Sequence, residues 1–130
     1  MKPKRIQLRR TKGWRKPANC VVVSRPGKRG NVYHVERTGG KHRWPATFGR
    51  WCVWTDANPI GLAAAVEYFD EYGEAVEFAV RQFWRYLRLA RKGRALARAA
   101  KRELSGKDVA CFCRLDRPCH GDVLLEVANR

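Results

Sequence analysis

The chain has 130 residues, 28 Lys plus Arg against 12 Asp plus Glu, and a formal charge of +16. That length suits one domain, a hydrophobic fraction of 45% excludes a disordered polyelectrolyte, and no apolar run approaches the roughly 20 residues needed to span a bilayer. The basic opening MKPKRIQLRR leads into no apolar segment, so no secretory signal is read, and five Cys, an odd count, point to reduced thiols in a cytoplasm rather than to a disulfide framework.

In chain order, RIQLRR (5–10) reads as a strand inside a basic segment, 1–16, that holds eight cations and no acid. NCVVVS (19–24) is a buried β-branched strand bounded by Pro17 and Pro26. RPGKRGN (25–31) is a turn-rich loop, VYHVER (32–37) alternates as a strand, GGKH breaks the chain, and WPATFGRWCVWTD (44–56) gives one or two short strands. Asp56 or Asn58 is placed as a helix N-cap, with Pro59 at the first helical position. A helical pattern runs from Ile60 to about Tyr72, resumes at Glu74 after Gly73, reaches about Arg91, passes Gly93 and ends near Leu104. SGKD stops it, VACFC (109–113) is a compact apolar strand, and Val123, Leu124 and Val127 suit a closing helix. These elements predict a single domain over 1–130 of α/β or α+β class. It is a small Rossmann-like three-layer fold with a helical segment at about 60–104, a strand–loop–helix motif at 108–130, and VACFC as an interior strand.

The helical segment has a charged geometry. Between Phe78 and Arg102 lie nine cations and no acid. Arg81, Arg85, Arg88 and Lys92 are spaced 4, 3 and 4, so on one helix they form a stripe. Val76, Val80, Phe83, Leu87 and Ala90 occupy the face expected to meet the core. Arg94, Arg98 and Lys101 repeat the basic spacing further on. A solubilising surface normally mixes both signs. A face of one sign points to a phosphate-rich partner, nucleic acid or nucleotide, without implying base specificity.

Cys111, Cys113, Cys119 and His120 fall within ten residues. In a strand, Cys111 and Cys113 point to one side. Pro118 puts Cys119–His120 at the start of the last helix, where free N–H groups favour a thiolate or a phosphate. Three readings stay open. The four side chains could bind zinc, although C-x-C-x5-C-H departs from the usual paired spacing. Cys119 could be a catalytic thiolate assisted by His120. Or the two strand cysteines could be core hydrophobes, with Cys119 capping a structural turn. The last account leaves Gly121 unexplained.

GKDVACFCRLDRPCHGDVLLEVAN resembles the closing signature of an uncharacterised family common in bacteriophage and actinobacterial genomes, whose members end in patterns such as GKDLACWC…PCHADVLLELAN. The family's second signature, G-R-P-x-x-W-G-N-P after a β-branched strand, is partly kept in VVVSRPGKRGN: Arg25, Pro26, Gly30 and Asn31 match, while Ser24, Arg29 and Val32 depart from it. IQLRRTKGWRKP is similar to the family's first strand; residues 38–73 do not align. The resemblance implies a phage or actinobacterial origin, hence a host cytoplasm for a phage protein, and no reaction. A second uncharacterised α/β family also ends in a strand Cys followed by Cys-His at a helix start. That likeness covers Cys111, Cys119 and His120 and favours a Rossmann-like pocket over a zinc knuckle.

SRPGKRGN follows a buried strand as phosphate loops do, yet it is no Walker or dinucleotide fingerprint. Arg25 could fork onto a phosphate, with Gly30 and Asn31 offering backbone donors. The two matching segments together suggest one pocket lined by Arg25, Asn31, Cys119 and His120. His34 and His42 read as structural or solvated, and Trp44, Trp51 and Trp54 as core before base-stacking platforms beside Arg43 and Arg50. The leading expectation is a protein that engages nucleotides or nucleic acid through the basic helix face and this pocket. The alternatives are a Cys119-dependent enzyme of nucleotide or nucleic-acid modification, and a host-takeover or anti-defence protein that binds an acidic host protein.

Overall fold

The computed structural model describes residues 2–25 and 27–130; Pro26, expected to bound the second strand and shape the Arg25 loop, lies outside the described residues. The chain is α+β, with two three-stranded sheets and three α-helices among the described residues. It divides into two compact units, Met1–Gly30 with Trp84–Arg130, and Asn31–Phe83.

The first unit is built on a parallel sheet. Strands β1 (Arg5–Gln7) and β2 (Cys20–Val22) flank the central strand β6 (Asp108–Cys111), in the order β1-β6-β2. The expectation of an interior VACFC strand is met at Val109–Cys111, with Ile6 and Val22 both in register with Ala110. A central parallel strand packs on both faces and so reads as an unbroken apolar run. Val109, Ala110 and Cys111 are accordingly buried. Helices α2 (Arg91–Leu104) and α3 (His120–Ala128) pack together in this unit, and Leu104, Val123, Leu124 and Val127 join Val109 in its core.

The second unit holds an antiparallel sheet, β3 (Tyr33–Arg37), β4 (Trp51–Thr55) and β5 (Ala64–Phe69), in the order β3-β4-β5. A bulge at Val53/Trp54 interrupts the β4–β5 register. Helix α1 (Tyr72–Leu89) begins in this unit. Its Ala75 and Ala79 bury against Val53, with Tyr33, Val35, Trp51, Phe69 and Phe78 around them. Small side chains here let the helix axis approach the sheet. The buried line of α1 is therefore Ala75, Ala79, Phe83 and Leu87, and the expected Val76, Val80 and Ala90 are half-buried flanks.

Two expectations about the helical segment are corrected. Residues 60–71 do not form a helix. Asn58 caps a turn instead, its side chain donating to Leu62 O at 2.7 Å while Gly61 N donates to Asn58 O. Gly61 takes φ 69° in that turn, a conformation open mainly to glycine. The Ala-rich run that follows pairs with β4, so a cross-strand partner overrides a sequence of good helix formers. The helix through Arg91 is also not continuous. Ala90 is extended (φ −79°, ψ 142°) and starts α2, so Arg81, Arg85 and Arg88 share α1 while Lys92 lies on the next helix.

A candidate metal centre at the start of the last helix

Cys111 ends the central strand of the parallel sheet, and Cys113 lies two residues further on. Their sulfurs lie 3.5 Å apart, although the strand expected to run to Cys113 ends at Cys111 and a bend, not strand alternation, brings Cys113 back. Cys119 is the N-cap of α3. Its backbone N–H donates to the Asp122 carboxylate at 3.2 Å, and its sulfur accepts from Gly121 N at 3.4 Å. The cysteine thus does the work of the Ser or Thr in a capping box. Gly121 packs closely here: a Cβ would stand 3.1 Å from Arg5 Cδ and 3.5 Å from Val109 Cγ2, so an alanine would need only a small shift of the Arg5 side chain.

His120, the first helical residue, is buried. Its Nε2 lies 2.7 Å from Val23 O. A carbonyl can only accept, so Nε2 carries the proton and Nδ1 presents a lone pair. That lone pair lies 3.6 Å from Cys119 Sγ. One donor atom each from Cys111, Cys119 and His120 lies within 4.8 Å of the other two. The cluster could hold a metal ion: soft sulfurs and a neutral imidazole converge from a strand end and a helix start.

The three thiols are electrostatically linked. Hydrogen bonds from Cys113 and Cys119 pull the Cys111 thiol far below the ordinary range. Their hydrogen bonds to Cys111 push Cys113 and Cys119 up, because a thiol that donates to a thiolate holds its proton. Burial holds the His120 imidazole down, and its bond to the Val23 carbonyl only partly offsets this. The ring stays neutral, as a ligand must.

Arg5 organises the loop between the cysteines, and the sequence reading missed it. Its side chain is 6% exposed. Nε pairs with Asp122 Oδ1 at 2.9 Å, and the two terminal nitrogens donate to the carbonyls of Cys113, Arg114, Leu115 and Arg117 at 2.8–3.5 Å. One guanidinium therefore gathers the loop carrying Cys113 and ties it to the helix carrying Cys119 and His120. Nothing in the basic opening segment separates Arg5 from its seven neighbouring cations. Asp122 was more legible, since Cys-x-x-Asp before an apolar run is a capping-box pattern.

The other expected site residues fall in different places. Arg25 is exposed and close enough for its charge to disfavour protonation of His120. Gly30 lies under Arg25, where a Cβ would meet Arg25 Cγ at 2.4 Å. Asn31 belongs to the second unit. There it is buried, donating to Ala79 O at 3.2 Å and accepting from Tyr33 N at 2.9 Å. Arg81, Arg85, Arg88 and Lys92 are all exposed, and among the described residues none forms an ion pair. Trp54 is buried and stacks on His34 at 4.1 Å, and His42 pairs with Glu36 at 2.6 Å. Among the described residues, no helix is long and apolar enough to cross a membrane.

A family model described as "Domain of unknown function (DUF4326)" matches residues 6–130. No curated protein and no solved structure matches the chain.

Proposed function

As the chain belongs to the DUF4326 family, whose description assigns no chemistry, we propose a function from the geometry itself: a zinc-stabilised domain that binds nucleic acid through its cationic helices. The observation that carries the zinc assignment is the spacing of the donors. Tetrahedral zinc with Zn–S near about 2.3 Å and Zn–N near about 2.0 Å has S···S edges of about 3.8 Å and S···N edges of about 3.5 Å. The Cys111–Cys113 and Cys119–His120 pairs stand at 3.5 and 3.6 Å. Cys111, Cys119 and His120 already converge within 4.8 Å; Cys113, outside that triad but 3.5 Å from Cys111, would move in to close a Cys3His shell, the arrangement of structural sites. The His120 bond to Val23 O supplies the outer contact that fixes a ligating imidazole. Cys119 is 1% exposed, which favours a ligand over a nucleophile attacking an external substrate. Elemental analysis is expected to find about one zinc per chain, and Cys113→Ser to lower the zinc content and the melting temperature together.

The acid-free face supports the nucleic-acid reading. Arg81, Arg85, Arg88, Arg91, Lys92, Arg94 and Arg98 are exposed along α1 and α2, and no acidic residue lies from Phe78 to Arg102. Cations left without acidic partners neutralise phosphates and release their counterions. Binding to a DNA or RNA duplex should weaken steeply with salt. Replacing Arg81, Arg85 and Arg88 by Gln should reduce the slope of log K against log salt by about 2–3. An unchanged slope would remove α1 from the interface.

A further inference from the structure

A second feature, in the Asn31–Phe83 unit, is independent of the cysteine centre and of the helix face. Phe48, in the short 3-10 turn Ala46–Phe48, is 71% exposed. It lines an open cavity of about 540 Å³ together with Arg37, Thr38, Thr47, Arg50 and Asp70. That volume lies within the range of small-molecule sites, roughly 300–1,000 Å³.

The cavity is held by the backbone. Arg37 ends β3, and Thr38 grips Arg50 across the strand ends, its N and Oγ1 both donating to Arg50 O at 2.9 and 3.1 Å. Two guanidinium-bearing residues are thereby fixed on neighbouring chain segments. Gly49, between Phe48 and Arg50, takes φ 151°. A Cβ there would come within 2.8 Å of Phe69 O, so only glycine lets this turn lie against β5. The Arg37 guanidinium is held 5.8 Å from the Trp51 ring centroid. The Phe48 ring is steadied by Tyr68, 5.6 Å away. Asp70 lines the same cavity, yet among the described residues neither arginine is ion-paired.

We infer that this cavity binds a nucleotide unit, its phosphate between Arg37 and Arg50 and its base against Phe48. Arginine forks match phosphate oxygens, an exposed ring offers a stacking surface to any base, and Asp70 is an acceptor for a sugar hydroxyl or an exocyclic amine. A simple carboxylate or inorganic phosphate would use the arginines and leave the aromatic idle. A duplex would present no free base face, so the source is a free mononucleotide or a residue of a single strand.

Calorimetry on the full chain separates these sources, using adenosine monophosphate, inorganic phosphate and a single-stranded oligoadenylate as probes. Arg50→Gln and Phe48→Ala alter exposed side chains, and circular dichroism checks that each variant is folded. The inference requires that one nucleotide probe bind more tightly than inorganic phosphate and lose at least tenfold in affinity in both variants. Adenosine monophosphate meeting that condition identifies a free-nucleotide site; the oligonucleotide alone meeting it identifies a strand-binding site. The triple Arg81, Arg85 and Arg88 replacement should leave mononucleotide binding unchanged, so failure of the helix face and failure of this cavity are read apart. Folded Arg50→Gln and Phe48→Ala variants that bind every probe as the parent does would overturn the inference.

Discussion

Arg5 shows how much of this fold rests on one side chain. It lies in a run of cations that solvent could accommodate anywhere, yet it is buried and gathers four loop carbonyls and one carboxylate. A lysine would keep the charge but not the fork, and most of the carbonyls would lose their donor. Arg5→Lys is therefore expected to destabilise the protein by about 1–3 kcal/mol, read as a lower denaturant midpoint, and to weaken metal retention as the Cys113 loop loosens. Arg85→Lys, at an exposed position, should change neither. Equal midpoints for Arg5→Lys and the parent would show that the loop holds itself. The cysteines were legible for the opposite reason. Their types and their places at a strand end and after a proline carry the chemistry locally, whereas the partners of Arg5 lie 108 to 117 residues away.

At the scale of elements, the sequence was clear where local pattern and tertiary demand agree. Val109–Cys111 of the VACFC run became part of the central parallel strand, which stops short of Phe112 and Cys113, and Pro-Cys-His-Gly became the N-terminus of α3. It misled where they conflict. AAAVEYF has helix-forming composition, and only its pairing with β4, remote in the pattern, makes it β5. The break between α1 and α2 has a similar origin. Ala90 carries no local breaker, and Gly93, which does, sits inside α2. Its role is steric: a Cβ at position 93 would come within 1.9 Å of Tyr86 O, so glycine permits the corner between the helices. Gly93→Ala gains about 1 kcal/mol of helix propensity, but overpacking against immovable backbone costs about 1–3 kcal/mol. The expected result is a net loss of thermal stability; a rise in melting temperature would show that the corner relaxes freely.

Across the whole chain, charge is segregated. Residues 51–80 hold Asp56, Glu67, Asp70, Glu71, Glu74 and Glu77 and no Lys or Arg, while residues 78–102 hold cations alone. A uniformly basic polyelectrolyte would not need that division. Concentrating the positive potential on α1 and α2 is what the proposed binding of a polyanion would require. The unit that includes α2 is small, and its parallel strands are only three or four residues long. Domains of this kind gain stability from a metal when their core cannot supply enough of it. The proposed Cys3His centre would join the middle strand to the last helix, where one bound ion would secure three segments at once. X-ray absorption at the zinc edge of the purified protein tests this most directly. The account predicts a four-coordinate shell of three sulfurs and one nitrogen that loses a sulfur in Cys113→Ser. A folded protein that stays metal-free after incubation with zinc, or a shell of nitrogen and oxygen alone, would contradict it.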